Sequence, residues 1–218
     1  MYAYAANNPV RYIDPDGSKV ISLNSRTKAS IEKIIQSVCG SDFYFDGNSL
    51  KCSYNLSSGE LYSPTARSLL LAAIDSDKTA YMFAYTAISE VPLDPDVAGE
   101  LSAELGFSRR VKGSSNSDIG FFLVDIKEAY PATGATAEYL RTEFSCSIKE
   151  ANTLGFIHEF LGHVLCDLSI GGYSPDTDIM KEIENKIRGE LNWTSPTRWL
   201  ESEYADLTGH EFSLENLK

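Results

Sequence analysis

Histidine is scarce in this 218-residue sequence, which has only His158, His163 and His210. Cysteine is scarce too. Cys39, Cys52, Cys146 and Cys166 include no CxxC pair, and four cysteines in a chain this long do not build a disulfide scaffold, so they read as reduced and partly buried. No long hydrophobic run is present. The longest, Leu69 to Ile74, is far too short to cross a bilayer, and Met1 leads straight into Tyr2-Ala3-Tyr4 and polar residues rather than a secretory leader. Positive charge is thin, with 19 Lys and Arg against 31 Asp and Glu for a formal net charge of -12. The one basic run, Arg109-Arg110-Val111-Lys112, reads as a solvated turn, which disfavours binding to nucleic acid or to an anionic membrane. A glycine-rich phosphate loop is also missing, and this counts against a nucleotide- or NAD-directed transferase. What is present is a 43% hydrophobic chain with 23% charged residues, enough for one sizeable core and short appendages.

The first seventeen residues stand apart. They set two turn signals, Asn7-Asn8-Pro9 and Asp14-Pro15-Asp16-Gly17, around a short Val10-Arg11-Tyr12-Ile13 strand. Tyr2 to Gly17 closely resembles the closing motif of Rhs/YD-repeat proteins. In that family the motif ends a shell-like β region and a variable toxin domain follows. The resemblance implies that residues 1–17 are the end of that core and 18–218 a toxin domain, secreted or delivered into target cells as part of a larger Rhs protein. A cognate immunity protein is implied as a partner.

Within 18–218 the periodicity predicts a helix from Lys28 to Val38 with Thr27 as a possible N-cap, and a hairpin over 43–52 turning at Asp46-Gly47. A helix from Pro64 to about Ile74 opens on Ser63. Strands are expected at Thr79 to Thr86 and Gly120 to Ile126, with loop between them. A buried helix from Thr153 to Leu168 and an amphipathic one from Asp178 to Leu191 complete an α+β pattern without internal repeats.

The chemistry concentrates in His158-Glu159-Phe160-Leu161-Gly162-His163. A zinc peptidase needs two imidazoles on one helix face and a carboxylate beside them, ordinarily spaced H-E-x-x-H. Here the histidines are five apart, which on a regular α-helix turns the rings about 140° from each other. Holding one metal therefore requires a π-type widening of the helix, with Gly162 placed to admit the distortion. Burying Glu159 and two imidazoles among Phe156, Ile157, Phe160, Leu161, Val164 and Leu165 would be costly without a partner for the charge. The hexad resembles the H-E-L-L-G-H motif of the dipeptidyl peptidase III family, and similar stretches occur in peptidase-type toxin domains of Rhs proteins. The resemblance covers the motif alone. It implies Zn2+, His158 and His163 as ligands, Glu159 as general base, and a protein or peptide substrate.

For a third ligand, Asp178 and Glu182 stand four apart on the next helix, so that Asp178 could ligate while Glu182 orients a histidine, or Glu182 could ligate itself. Glu184 reads as a structural acid paired with Arg188 at i, i+4; Glu184 to Arg188, followed by Pro196-Thr197-Arg198, also looks like a stretch that follows the metal helix in Rhs-linked peptidase toxins. Glu184 itself, Glu203, in a partial match to the E-E-x-x-A-E/D segment of dipeptidyl peptidase III, and His210 are rivals for the third ligand. Tyr173 or Tyr204 would be candidates to stabilise an oxyanion. The expectation is a compact zincin-like metallopeptidase. A transferase toxin, or a binding module with structural histidines, stands as the alternative.

Overall fold

Short alternating runs and amphipathic stretches build the first half of the domain. The computed structural model describes residues 20–22, 24–86, 106–124, 129–130, 135–136, 148–165, 168 and 177–193. The predicted closing motif at 1–17 lies outside them. Strand β1 (Val20–Ser22) leads to helix α1 (Lys28–Cys39), which buries Ile31, Ile34, Ile35 and Val38 as their 3–4 spacing requires. Thr27 occupies the N-cap position, but its hydroxyl donates to the Ala84 carbonyl (2.7 Å) and makes no capping bond. The helix start is thereby tied to the sheet. Strands β2 (Phe43–Asp46) and β3 (Ser49–Cys52) form the expected hairpin. Helix α2 (Pro64–Ile74) begins at Ser63, whose Oγ accepts the Ala66 N–H at 3.0 Å, with Pro64 supplying a first turn that needs no donor.

Strands β4 (Thr79–Tyr85), β5 (Gly106–Arg110) and β6 (Ser117–Leu123) complete a six-stranded sheet in the order β2-β3-β1-β4-β6-β5. β1, β4 and β6 run parallel, while β3 and β5 are antiparallel to their neighbours. The near-continuous apolar sequence of β4 fits an interior strand buried on both faces. β7 (Ala129–Tyr130) and β8 (Ala135–Thr136) pair separately. Helix α3 (Ile148–Gly155) continues without interruption into a π-helix over Phe156–Val164, and α4 (Thr177–Glu190) follows. The described residues thus form a mixed sheet with four helical segments, an α+β arrangement.

Two expectations change here. The strand expected at Gly120 to Ile126 begins three residues earlier, spanning 117–123 between β4 and β5. Arg109 and Arg110 sit in β5, the edge strand, and not in a turn; Arg110 is offset by Asp118 across the ladder, Nη1 to Oδ1 3.3 Å. β5 lay hidden because it is short and follows a stretch rich in turn formers, where alternation is hard to see.

One sheet face packs against the π-helix. At Gly120 a Cβ would lie 3.2 Å from Phe160 Cδ2 and 3.3 Å from Val164 Cγ2, so the bare backbone lets the helix settle onto the strand. Phe122 meets Phe156, and Phe156 stacks on Phe160, each pair 5.8 Å between ring centroids. A separate half-buried polar cluster joins the end of α1 and the turn after it to α2, where Arg67 makes two bonds to Asp42 (2.6 and 2.8 Å) and one to the Cys39 carbonyl (3.1 Å). Cys39 and Cys52 are free and buried. Among the described residues no helix is long and apolar enough to cross a membrane.

Candidate metal centre

The π-helix decides the site. Its hydrogen bonds span five residues instead of four, as in the Leu165 N–H bonded to the Phe160 carbonyl. Residues i and i+5 then stack on one face, which are the positions of His158 and His163. Their rings stand edge to face with centroids 4.8 Å apart. The widening is spread over nine residues, and Gly162 is not among the described residues with positive φ.

One ligand atom from each of His158, Glu159 and His163 lies within 4.8 Å of the others, and all three residues are buried. Glu159 Oε1 is 3.8 Å from His158 Nε2. Burial pushes the Glu159 carboxyl up to about 7, against the opposing pull of His158 and Arg109. Burial likewise pushes the His163 imidazole down to about 3, helped by His158 and Arg109. A neutral imidazole offers a lone pair to a metal, and a carboxylate poised near neutrality can exchange a proton.

The edge strand forms one wall. A Cβ at Gly106 would fall 2.8 Å from Glu159 Cγ and 2.3 Å from the Phe121 carbonyl oxygen. Only glycine lets β5 run this close to the acid. Neither Gly106 nor β5 was expected at the site from sequence.

Glu184 has a second partner beyond the expected one. It is 3.7 Å from Arg188 at i, i+4, and its Oε2 also lies 3.3 Å from His158 Nδ1. With the proton on Nδ1, the ring donates to Glu184 and leaves the Nε2 lone pair facing Glu159 and His163. Because the two ring nitrogens point in divergent directions, Glu184 holds the ring from behind, as an outer partner of a metal-binding imidazole would. The signal was present in the sequence. Glu184, Ile187, Arg188 and Leu191 follow helical i, i+3, i+4, i+7 spacing, and all four are buried.

Glu182 is exposed. It lies about 200° around α4 from Glu184, so the structure brings Glu184 and not Glu182 against the motif. The side chain of Asp178, and Tyr173, Glu203, Tyr204 and His210, lie outside the described residues. No family model, curated protein or solved structure matches this chain.

Proposed function

We propose that this chain is a zinc-dependent peptidase of zincin-like architecture, acting as the toxic effector domain of an Rhs protein on proteins of a target cell. In the producing cell an immunity protein would block its cleft. The observation that carries the reading is the gathering of His158, Glu159 and His163 on one face of a π-helix. The donors fit zinc: two imidazoles, one kept neutral by burial and one oriented by a carboxylate on its far nitrogen. His158 and His163 would hold the ion, and Asp178 is retained as a candidate third ligand. Bound zinc supplies polarisation of a carbonyl and a water acidified to a pKa of about 7. Glu159 would take the proton from the attacking water and return it to the departing amine. A peptide substrate is favoured by β5, whose outer side pairs with no described strand and whose Gly106 end abuts Glu159.

Glu159→Gln tests the role directly. The variant is expected to keep its fold and zinc while losing peptidase activity on an unfolded protein, and toxicity on expression, by about 100-fold or more. Full activity or toxicity in that variant would remove Glu159 from the mechanism.

A further inference from the structure

We propose that Glu190 is a remote positioning residue for the metal centre: by clasping the start of α2 it fixes α4 where Glu184 can hold His158. The Glu190 carboxylate accepts from Ser63 Oγ at 2.5 Å, from the Thr65 backbone N–H at 3.0 Å and from Thr65 Oγ1 at 2.7 Å. An acid in the last turn of a helix opposes that helix's own dipole. Glu190 is therefore ill-placed for α4 and well-placed for α2, whose first-turn Thr65 N–H donates to it. The hydroxyl and backbone bonds hold its carboxyl below the usual range although burial works against them.

The clasp is braced at both ends by further contacts. Ser63 also caps α2 through Ala66 N, and its own N–H donates to the Val38 carbonyl of α1 at 2.7 Å. Beyond the clasp the chain folds back, with the Trp193 N–H on the Arg188 carbonyl at 2.8 Å and the Trp193 ring against the Arg188 guanidinium at 5.3 Å. Arg188 meets Glu184, and Glu184 meets His158. Six residues, about 9 Å of helix, separate the clasp from the carboxylate at the histidine. A slip of α4 at Glu190 moves Glu184 by a similar amount, and a contact of 3.3 Å does not survive a shift of an ångström or more.

The zinc readout below rests on the metal-site reading; the tautomer readout does not. In zinc-free protein, nitrogen NMR of His158 reports how much of the ring carries its proton on Nδ1. In zinc-loaded protein, competition with a chelator gives the affinity. Glu190→Gln and Thr65→Val are expected to lower the Nδ1–H population and weaken zinc about 2- to 30-fold, the range of couplings carried through packed elements. Asn185→Ala, on the exposed side of α4, leaves both unchanged. Added to Glu184→Gln, Glu190→Gln has little further effect, because the contact it serves is already lost. Glu190→Asp, which keeps the charge, restores part of the loss and replaces Glu190→Gln should that variant fail to fold. If the wild type takes up no zinc but the tautomer responds to Glu190→Gln, the zinc reading fails and the clasp stands. Wild-type tautomer and affinity in both Glu190→Gln and Thr65→Val would overturn the proposal.

Discussion

At the scale of single residues, burial acts on Glu159 and His163 in opposite directions, and pH separates the two. The folded chain keeps Glu159 protonated up to about 7, whereas the unfolded chain releases that proton from about 4.5. Stability is therefore lost as pH rises between those values, by about 2–4 kcal/mol in the metal-free protein. His163 stays neutral in the fold down to about 3, while the unfolded chain takes up a proton below 6.5, so its share is lost as pH falls through that window. Glu159→Gln removes only the first effect. Urea denaturation in the presence of chelator is expected to show the variant gaining on the wild type from pH 4.5 to 7 and levelling off above. A gap that does not change with pH would contradict the buried environment assigned to Glu159. Asp42 is a simpler case. Its carboxyl is held low by Arg67, which would lose its countercharge in a poorly solvated corner in Asp42→Asn. Urea denaturation of that variant is expected to show a loss of about 1–3 kcal/mol, the range for a charge-assisted hydrogen bond that is partly screened.

At the scale of elements, the site was legible where spacing carried it. Two histidines five apart demand a widened helix, and the helix is widened. Ser63-Pro64, the hairpin at Asp46-Gly47 and the apolar stripe of α1 were equally readable, because each is set by local chemistry. What sequence could not place is what depends on the sheet. β5 approaches Glu159 only because it pairs with β6 in the register Gly106 to Phe122, and no local pattern encodes that pairing. The choice between Glu182 and Glu184 turned on which face of α4 meets the core, a question that Ile187 and Leu191 answer once burial is weighed against the attraction of an i, i+4 ion pair. Gly106→Ala probes the sheet's part. The added methyl meets the Phe121 carbonyl and the Glu159 methylene, so β5 must shift. The expected result is a stability loss of about 1–3 kcal/mol with zinc retained and catalysis impaired. Thermal denaturation, zinc content and turnover of one sample would check all three.

At the scale of the whole molecule, the elements are joined by buried and half-buried polar contacts as well as by the apolar core. Arg67 ties the turn between α1 and β2 to α2, Glu190 ties α2 to α4, and Glu184 ties α4 to the π-helix. An ion held between His158 and His163 would bind the folded chain and not the unfolded one, so it would stabilise the fold by mass action, about 4 kcal/mol at a thousandfold excess over its dissociation constant. Chelator is then expected to lower the melting temperature, with zinc restoring it; a melting curve indifferent to both would count against a site inside the core.

The most direct measurement is the zinc content of the purified protein beside that of His163→Ala, by elemental analysis after exhaustive dialysis. On the proposed reading the two imidazoles gathered on the π-helix hold the ion, so about one zinc per wild-type chain is expected and almost none in the variant. Equal zinc in the two proteins, or none in the wild type even after loading, would contradict the account.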